Sequence, residues 1–498
     1  MTVGVSVQTT EVPPAVGSGY NTQNAFIAAF TDWGPVGQPI AVTSLSNGAS
    51  QLGTPSGSAN PASFRTSTCA TAYDAIDALL GEDGTARPTI YVSRVVHATA
   101  ASATIALAPT AALTLTAKYP GLGGNGIYVA VNNTGSAYTI TLTDAAGNVL
   151  VTSPSLTTLA EGVAWAATTS YVTATSSGST LPTTASATAM SGGTDNRGSA
   201  TITDWQTALA VFGASLGPGQ VFAPGQTETG LPGISSALGL HAQTYNRVAI
   251  RSMEDGVSAS QLITNLGSFG TSGVASYVGA WGGNRNLPGI TPGTTRSISP
   301  DAVIAGLCAR ADAQTGNPNT AAAGTNWRLV YATDPTSMVT GAPTDTYSLA
   351  DLQTLNAAGI NTFQTIDGVP CNYGFVTPEL STTDAVYWQF NHSRLRMAIV
   401  AQCQLIGQPY VFAQIDGQGS LANQFKGAIQ AYLLGLYNQG ALYGATAQDA
   451  FSVDTGPDVN TPATIAAGQL NAAITCSFSP FAQNVQFLVN VVPITQAA

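Results

Sequence analysis

Both ends of this chain read as β-strands. Near the C-terminal end, Asn484, Gln486 and Asn490 alternate with Val485, Phe487, Val489 and Val491. That is the period-two pattern of a strand with one buried face, and Pro493 stops it. At the other end Val3, Val5 and Val7 alternate with Thr2, Gly4, Ser6 and Gln8, and Pro13 and Pro14 stop that run. The amide and carbonyl groups of a strand require partners. Each arm therefore either pairs inside its own subunit or adds to the sheet of a neighbour, and pattern alone leaves both open.

A chain of 498 residues holds about two to four domains. Its surface has little charge to work with: 8% of residues are charged, against roughly a quarter in a typical soluble protein, with Gly, Ala, Ser and Thr in their place. Such a surface fits a protein that is covered by copies of itself, or a secreted or surface-layer protein. The net charge is −11, and Lys118 and Lys426 are the only lysines. That balance argues against binding nucleic acid, which requires clusters of Lys and Arg to neutralise phosphates.

Five cysteines, Cys69, Cys308, Cys371, Cys403 and Cys476, are scattered in mostly apolar surroundings with no C-x-x-C pair. They read as buried free thiols in a reducing compartment. No secretory signal pattern opens the sequence, and no apolar run reaches the roughly 18 residues of a membrane span.

The texture of the chain divides it. After an arm over 1–24, Ala25 to Phe30 reads as a buried strand, Thr66 to Leu80 as a helix, and Thr89 to Val96 as a second buried strand, an α/β unit. Residues 98–195 are rich in Thr, Ser, Ala and Val in short alternating runs, such as Tyr138 to Thr143 before the turn at Asp144; they read as an inserted β-rich domain. The α/β texture returns over 196–345: a helix over Thr203 to Phe212, strands at Gln220 to Ala223, Arg247 to Arg251 and Asn326 to Ala332, and a long loop over Gly279 to Pro300. A C-terminal α+β domain spans 346–483. A helix capped by Ser348 and Asp351 opens it, and a long helix over Thr383 to Ile406 and a strand over Pro409 to Ile415 follow. Another helix runs from Ser420 to Gln439, with Leu421, Phe425, Ile429, Tyr432, Leu433, Leu436 and Tyr437 as its stripe, and a strand spans Gln469 to Ser477. Residues 484–498 are the second arm.

Short runs spread over nearly the whole chain resemble, in order, those of the tail sheath proteins of contractile phages and related injection systems. The opening Val7 to Pro13 (Val-Gln-Thr-Thr-Glu-Val-Pro) is similar to the family's first strand and turn, and Ala25 to Pro35 to its next block. Val42 to Leu45, Tyr73 to Leu80 and Ile90 to Val95 continue the likeness. Thr116 to Gly121 with Gly124 and Asn125 resembles the start of the family's inserted domain, and Ser191 to Asp195 its end. Val303 to Asp312 resembles a helix of the middle domain; Leu355 to Asn361 and Leu433 to Leu442 are the strongest matches. Two departures stand out: the family's Arg-rich helix is thinner here, at Asn391 to Arg396, and its Phe-Glu-Pro-Asn strand is replaced by Phe412 to Asp416.

The resemblance implies an α/β multidomain fold and a structural role. Subunits would stack as hexameric rings around an inner tail tube protein, with the C-terminal domain nearest the tube. The terminal arms, through Val3, Val5, Val7, Val485, Phe487, Val489 and Val491, would exchange strands with neighbours. Contraction would drive the tube through a target envelope, with baseplate and tail terminator proteins as further partners and the virion tail as the location. Energy would come from new subunit contacts; the chain carries no G-x-x-x-x-G-K-[ST] loop. Lys426, Arg394 and Arg396 are the candidates for touching an acidic tube, the two arginines also reading simply as an exposed helix face.

Residues pointing to an enzyme are lacking, and no cofactor or metal is expected. His97, His241 and His392 are far apart, and Gly121 to Gly126 (Gly-Leu-Gly-Gly-Asn-Gly) has no apolar helix after it, so it reads as a turn and not a dinucleotide loop. Glu82 and Asp83 read as a solvated turn. The alternative reading of the whole chain is a surface-layer or adhesin-like self-assembling protein, which low charge and Thr/Ser-rich segments permit; unpaired cysteines count against it.

Overall fold

A computed structural model describes residues 21–53, 55, 70–109, 112–267, 269–288, 295–331, 347–379, 385–483 and 485–486. The fold is multidomain α/β. Its centre is an eight-stranded sheet in the spatial order Val369–Tyr373, Ile360–Ile366, Val278–Trp281, Val248–Ser252, Gln220–Phe222, Ala25–Ala29, Ile90–Arg94, Ile40–Val42. The inner neighbours pair in parallel, and only the two outermost strands run antiparallel. A parallel sheet is buried on both faces. Here Ala25, Ile27 and Ala29 point into one core, with the helices Ala70–Glu82 and Pro300–Thr315. Phe26 and Ala28 point into the opposite one, with Ile202–Ala210 and Ile234–Thr244.

Several expectations shift. Gly279 lies inside a parallel strand, and the Arg285–Pro288 and Thr295–Ile298 strands form a hairpin, where a long loop was expected. Segment 347–379 adds the strands Ile360–Ile366 and Val369–Tyr373 to the edge of the main sheet. The strand expected at Pro409 to Ile415 is a short 3-10 turn, Gln408–Tyr410, followed by coil, and that expected from Asn326 is a 3-10 turn, Thr325–Trp327. The helix expected from Thr383 begins at Phe390. Glu82 and Asp83 are buried, not solvated.

Residues 101–194 fold around a core of their own. A three-stranded sheet (Thr104–Leu107, Leu113–Ala117, Val172–Ser176) and a four-stranded sheet (Ala185–Ala189, Tyr128–Asn133, Tyr138–Thr143, Val149–Thr152) enclose Leu113, Leu115, Val129, Ile140 and Leu142. Trp33 reaches into this core from the first unit and meets Tyr119 edge-on at 5.1 Å. Arg197 closes the exit, with Nη2 2.6 Å from Asp32 and Nε 2.5 Å from Asp195.

The fourth core lies between the helices Phe390–Gly407 and Ser420–Asn438 and a two-stranded sheet, Phe451–Asp454 with Ala473–Cys476. Cys308, Cys371 and Cys403 are buried free thiols; Cys476 is half-buried.

Candidate assembly surfaces

The 390–483 unit is where the fold leaves surface unfinished. Alternation puts Val453 of one strand and Ile474 and Cys476 of the other against Ile429, Leu433 and Leu436 of the Ser420–Asn438 helix, with Ser452, Asp454, Ala473 and Thr475 exposed. Among the described residues no third strand joins this sheet. Packing on the helix supports these two strands, and their open edges are a template for another strand.

Apolar side chains are exposed in this part of the chain. Among the described residues ten large hydrophobic residues stand out to solvent; Phe412, Leu434, Tyr443 and Ile465 lie within the 390–483 unit, and Val386 and Val485 flank it in sequence. Phe412 is 87% exposed and holds a left-handed backbone, φ 66°, which costs a non-glycine residue about 1 kcal/mol. A cavity of about 490 Å³ lies beside the sheet, lined by Tyr443, Gly444, Ala445, Asp449 and Ser477. Its one carboxylate, Asp449, is already engaged, accepting from the Thr446 backbone and hydroxyl.

The three expected tube contacts separate. Lys426 is half-buried on the Ser420–Asn438 helix and forms no ion pair among the described residues. Arg394 is completely buried: its Nη2 stands 2.6 Å from Asp312 Oδ1. Arg396 is buried too, stacked between the rings of Tyr277 at 3.7 Å and Tyr387 at 4.1 Å. These arginines hold the subunit together and present no exposed face to a tube, which corrects the sequence expectation. Of the arm residues, Val485 is exposed; Val3, Val5, Val7, Phe487, Val489 and Val491 lie outside the described residues.

Burial also rearranges the titratable groups. Removal from water pushes the Glu82 carboxyl up to about 7, although Arg310 and the Val330 and Tyr331 amides favour its ionised form. Burial brings His241 down to about 3, helped by the Arg247 guanidinium beside it. Glu82 ties the Ala70–Glu82 helix to residues 330–331 and to Arg310. Among the described residues no three His, Cys, Asp or Glu side chains stand together as metal ligands, and no helix is long and apolar enough to cross a membrane.

Comparison with solved structures identifies this architecture. The chain superposes on the sheath tail protein of Desulfitobacterium hafniense with a TM-score of 0.59 at 14% identity, over 91% of this chain and 93% of that one. Its fold is that of contractile sheath proteins. The sheath tail protein Lin1278 of Listeria innocua gives 0.58 at 14% identity, over 89% and 90%. The sheath of an extracellular contractile injection system in its contracted state gives 0.57 at 12%, over 100% and 99%. No family model and no curated protein matches the sequence. At such identities sequence search is blind to a likeness that spans the sheath fold from end to end.

Proposed function

We propose that this chain is the structural subunit of a contractile tail sheath. It polymerises as hexameric rings stacked around an inner tube and contracts to drive that tube through a target envelope. The observation that carries the reading is the unfinished sheet of the 390–483 unit on a chain of which 91% superposes on a sheath tail protein. The terminal arms supply strands for such edges: the N-terminal arm through Val3, Val5 and Val7, the C-terminal arm through Val485, Phe487, Val489 and Val491. Backbone hydrogen bonds of an added strand bind without fixing the orientation of the domain behind it, which is what a lattice with two arrangements requires.

On this reading the remaining partners are the inner tail tube, the baseplate and the tail terminator, with the virion tail or an injection apparatus as the location. Lys426 is the candidate cation toward the tube. The chain works by subunit contacts, with no cofactor and no catalysis. Electron microscopy of the purified full chain tests the proposal: hollow tubes or stacked rings support it, and flat two-dimensional sheets would favour a surface-layer protein instead.

A further inference from the structure

Both ends of the described chain are linked to one helix, the N-terminal end indirectly, through Asp312 of the Pro300–Thr315 helix. Thr22, where the N-terminal arm enters the fold, donates through Oγ1 to Asp312 Oδ2 at 2.8 Å, and Asp312 Oδ1 is held 2.6 Å from Arg394 Nη2. At the other end Gln389 grips the backbone of Phe481 twice. The Phe481 N–H donates to Gln389 Oε1 at 3.1 Å, and Gln389 Nε2 donates to the Phe481 carbonyl at 3.4 Å. Asn319 Nδ2 donates to the Ser479 carbonyl at 2.8 Å, and Asn391 Nδ2 donates to Asn319 Oδ1 at 2.8 Å. A ring nitrogen of His392 lies 3.2 Å from the same Ser479 carbonyl.

Gln389, Asn391, His392 and Arg394 occupy the N-cap and opening turns of the Phe390–Gly407 helix, and all are buried. The helix itself is anchored in two cores. Phe390 and Met397 pack into the core of the main sheet; Leu395, Ile399 and Cys403 pack into the C-terminal core. The Thr22 contact lies upstream of the first sheet strand, Ala25–Ala29, and the Phe481 contact downstream of the last strand, Ala473–Cys476.

We infer that the opening turns of this helix are a common root for the two arms and carry tension from one to the other. The inference rests on the sheath reading, in which the arms join neighbouring subunits. A pull on either arm meets side-chain clamps before it reaches a strand. The path between the clamps runs through Asp312 and the opening turns of this helix, which pack on the core of the main sheet without passing through its strands. The inserted unit lies off that path and is free to reorient during contraction while the links between subunits hold.

Amide exchange of the soluble full-length chain, read by mass spectrometry, tests the common root. Thr22→Val and Gln389→Met each remove hydrogen bonds with little change of shape and leave the Arg394–Asp312 pair intact. Each is expected to speed exchange about fivefold at its own root. Each is also expected to speed it at the other root, through the shared turns, with the eight-stranded sheet unchanged. If Thr22→Val speeds residues 21–24 and leaves 479–483 at the parent rate, the common root is wrong. The tension path has a second readout, the length of tubes after controlled shear. Each variant should give shorter tubes than the parent, and the double variant none shorter than the weaker single one, as for links in series. Equal lengths throughout, or losses that multiply, would overturn it. If the parent chain forms no tubes at all, the sheath reading fails instead, and the exchange experiment still decides the root.

Discussion

Arg394 and Asp312 form an ion pair wholly inside the subunit, Nη2 to Oδ1 at 2.6 Å, with the arginine side chain at 0% exposure. Removing one partner of such a pair strands a buried charge and costs about 3–5 kcal/mol, whereas replacing both by apolar residues of similar volume is often close to neutral. Arg394→Met should therefore lower the melting temperature sharply, and Arg394→Met with Asp312→Leu should restore much of it. Arg87→Ala removes a largely exposed arginine from the buried Asp83, and the loss should be smaller than for Arg394→Met because the arginine end of this pair is already solvated. Thermal unfolding of the three variants checks the order; a double variant no better than the single one would contradict it.

Glu82 gives stability a pH dependence of definite sign. Its carboxyl is raised from 4.5 to about 7 in the folded state, chiefly by burial. The folded chain therefore holds this proton over a range in which the unfolded chain has released it. The contribution is complete below about 4.5 and is lost as pH rises through about 7, an amount of about 3 kcal/mol. Relative to Glu82→Gln, the parent should lose that much between pH 4.5 and pH 8. Urea unfolding of both at the two pH values measures it, and a constant difference would contradict it.

Phe412 is exposed and left-handed at once. Glycine adopts that conformation without a Cβ penalty, and little packing is lost. Phe412→Gly should leave the free subunit as stable as before or more so, by up to about 1 kcal/mol, and Phe412→Ala should show no such gain. Thermal melts of the two variants decide it; a marked loss for glycine would mean that the ring is packed in solution.

Lys426 is the remaining cation on the candidate tube-facing helix. One exposed ion pair contributes under about 1 kcal/mol, but a sheath repeats it in every subunit. Lys426→Glu should weaken co-assembly of sheath with tube and leave subunit melting unchanged. Unchanged co-sedimentation with tubes would remove this contact.

The strands at Ala25–Ala29, Ile90–Arg94 and Val248–Ser252 were legible because strands buried on both faces read as apolar runs. Val278–Trp281 was hidden by its glycine. A Cβ at Gly279 would stand 2.3 Å from the Trp281 ring, so the residue that looked like a loop signal makes room for a core tryptophan. At Pro409 to Ile415 the run Tyr410, Val411 and Phe412, rich in strand-forming residues, imitated a strand, but among the described residues no partner strand lies alongside it. The arginines of the Phe390–Gly407 helix read as an exposed face because no acidic residue lies near them in the sequence. Their partners, Asp312, Tyr277 and Tyr387, are supplied by other segments, and nothing in the local pattern announces them. The unfinished two-stranded sheet was equally invisible, since an open edge is a property of what fails to pack beside it.

The central claim is polymerisation by strand exchange, and deletion tests it most directly. The full chain and a chain lacking residues 484–498 would be purified and imaged side by side by negative-stain electron microscopy. The account predicts hollow tubes or stacked rings from the full chain and only separate subunits from the shortened one, with both showing the same folded spectrum. Tubes of equal length from both would contradict it, because the subunits would then be held together without the C-terminal arm.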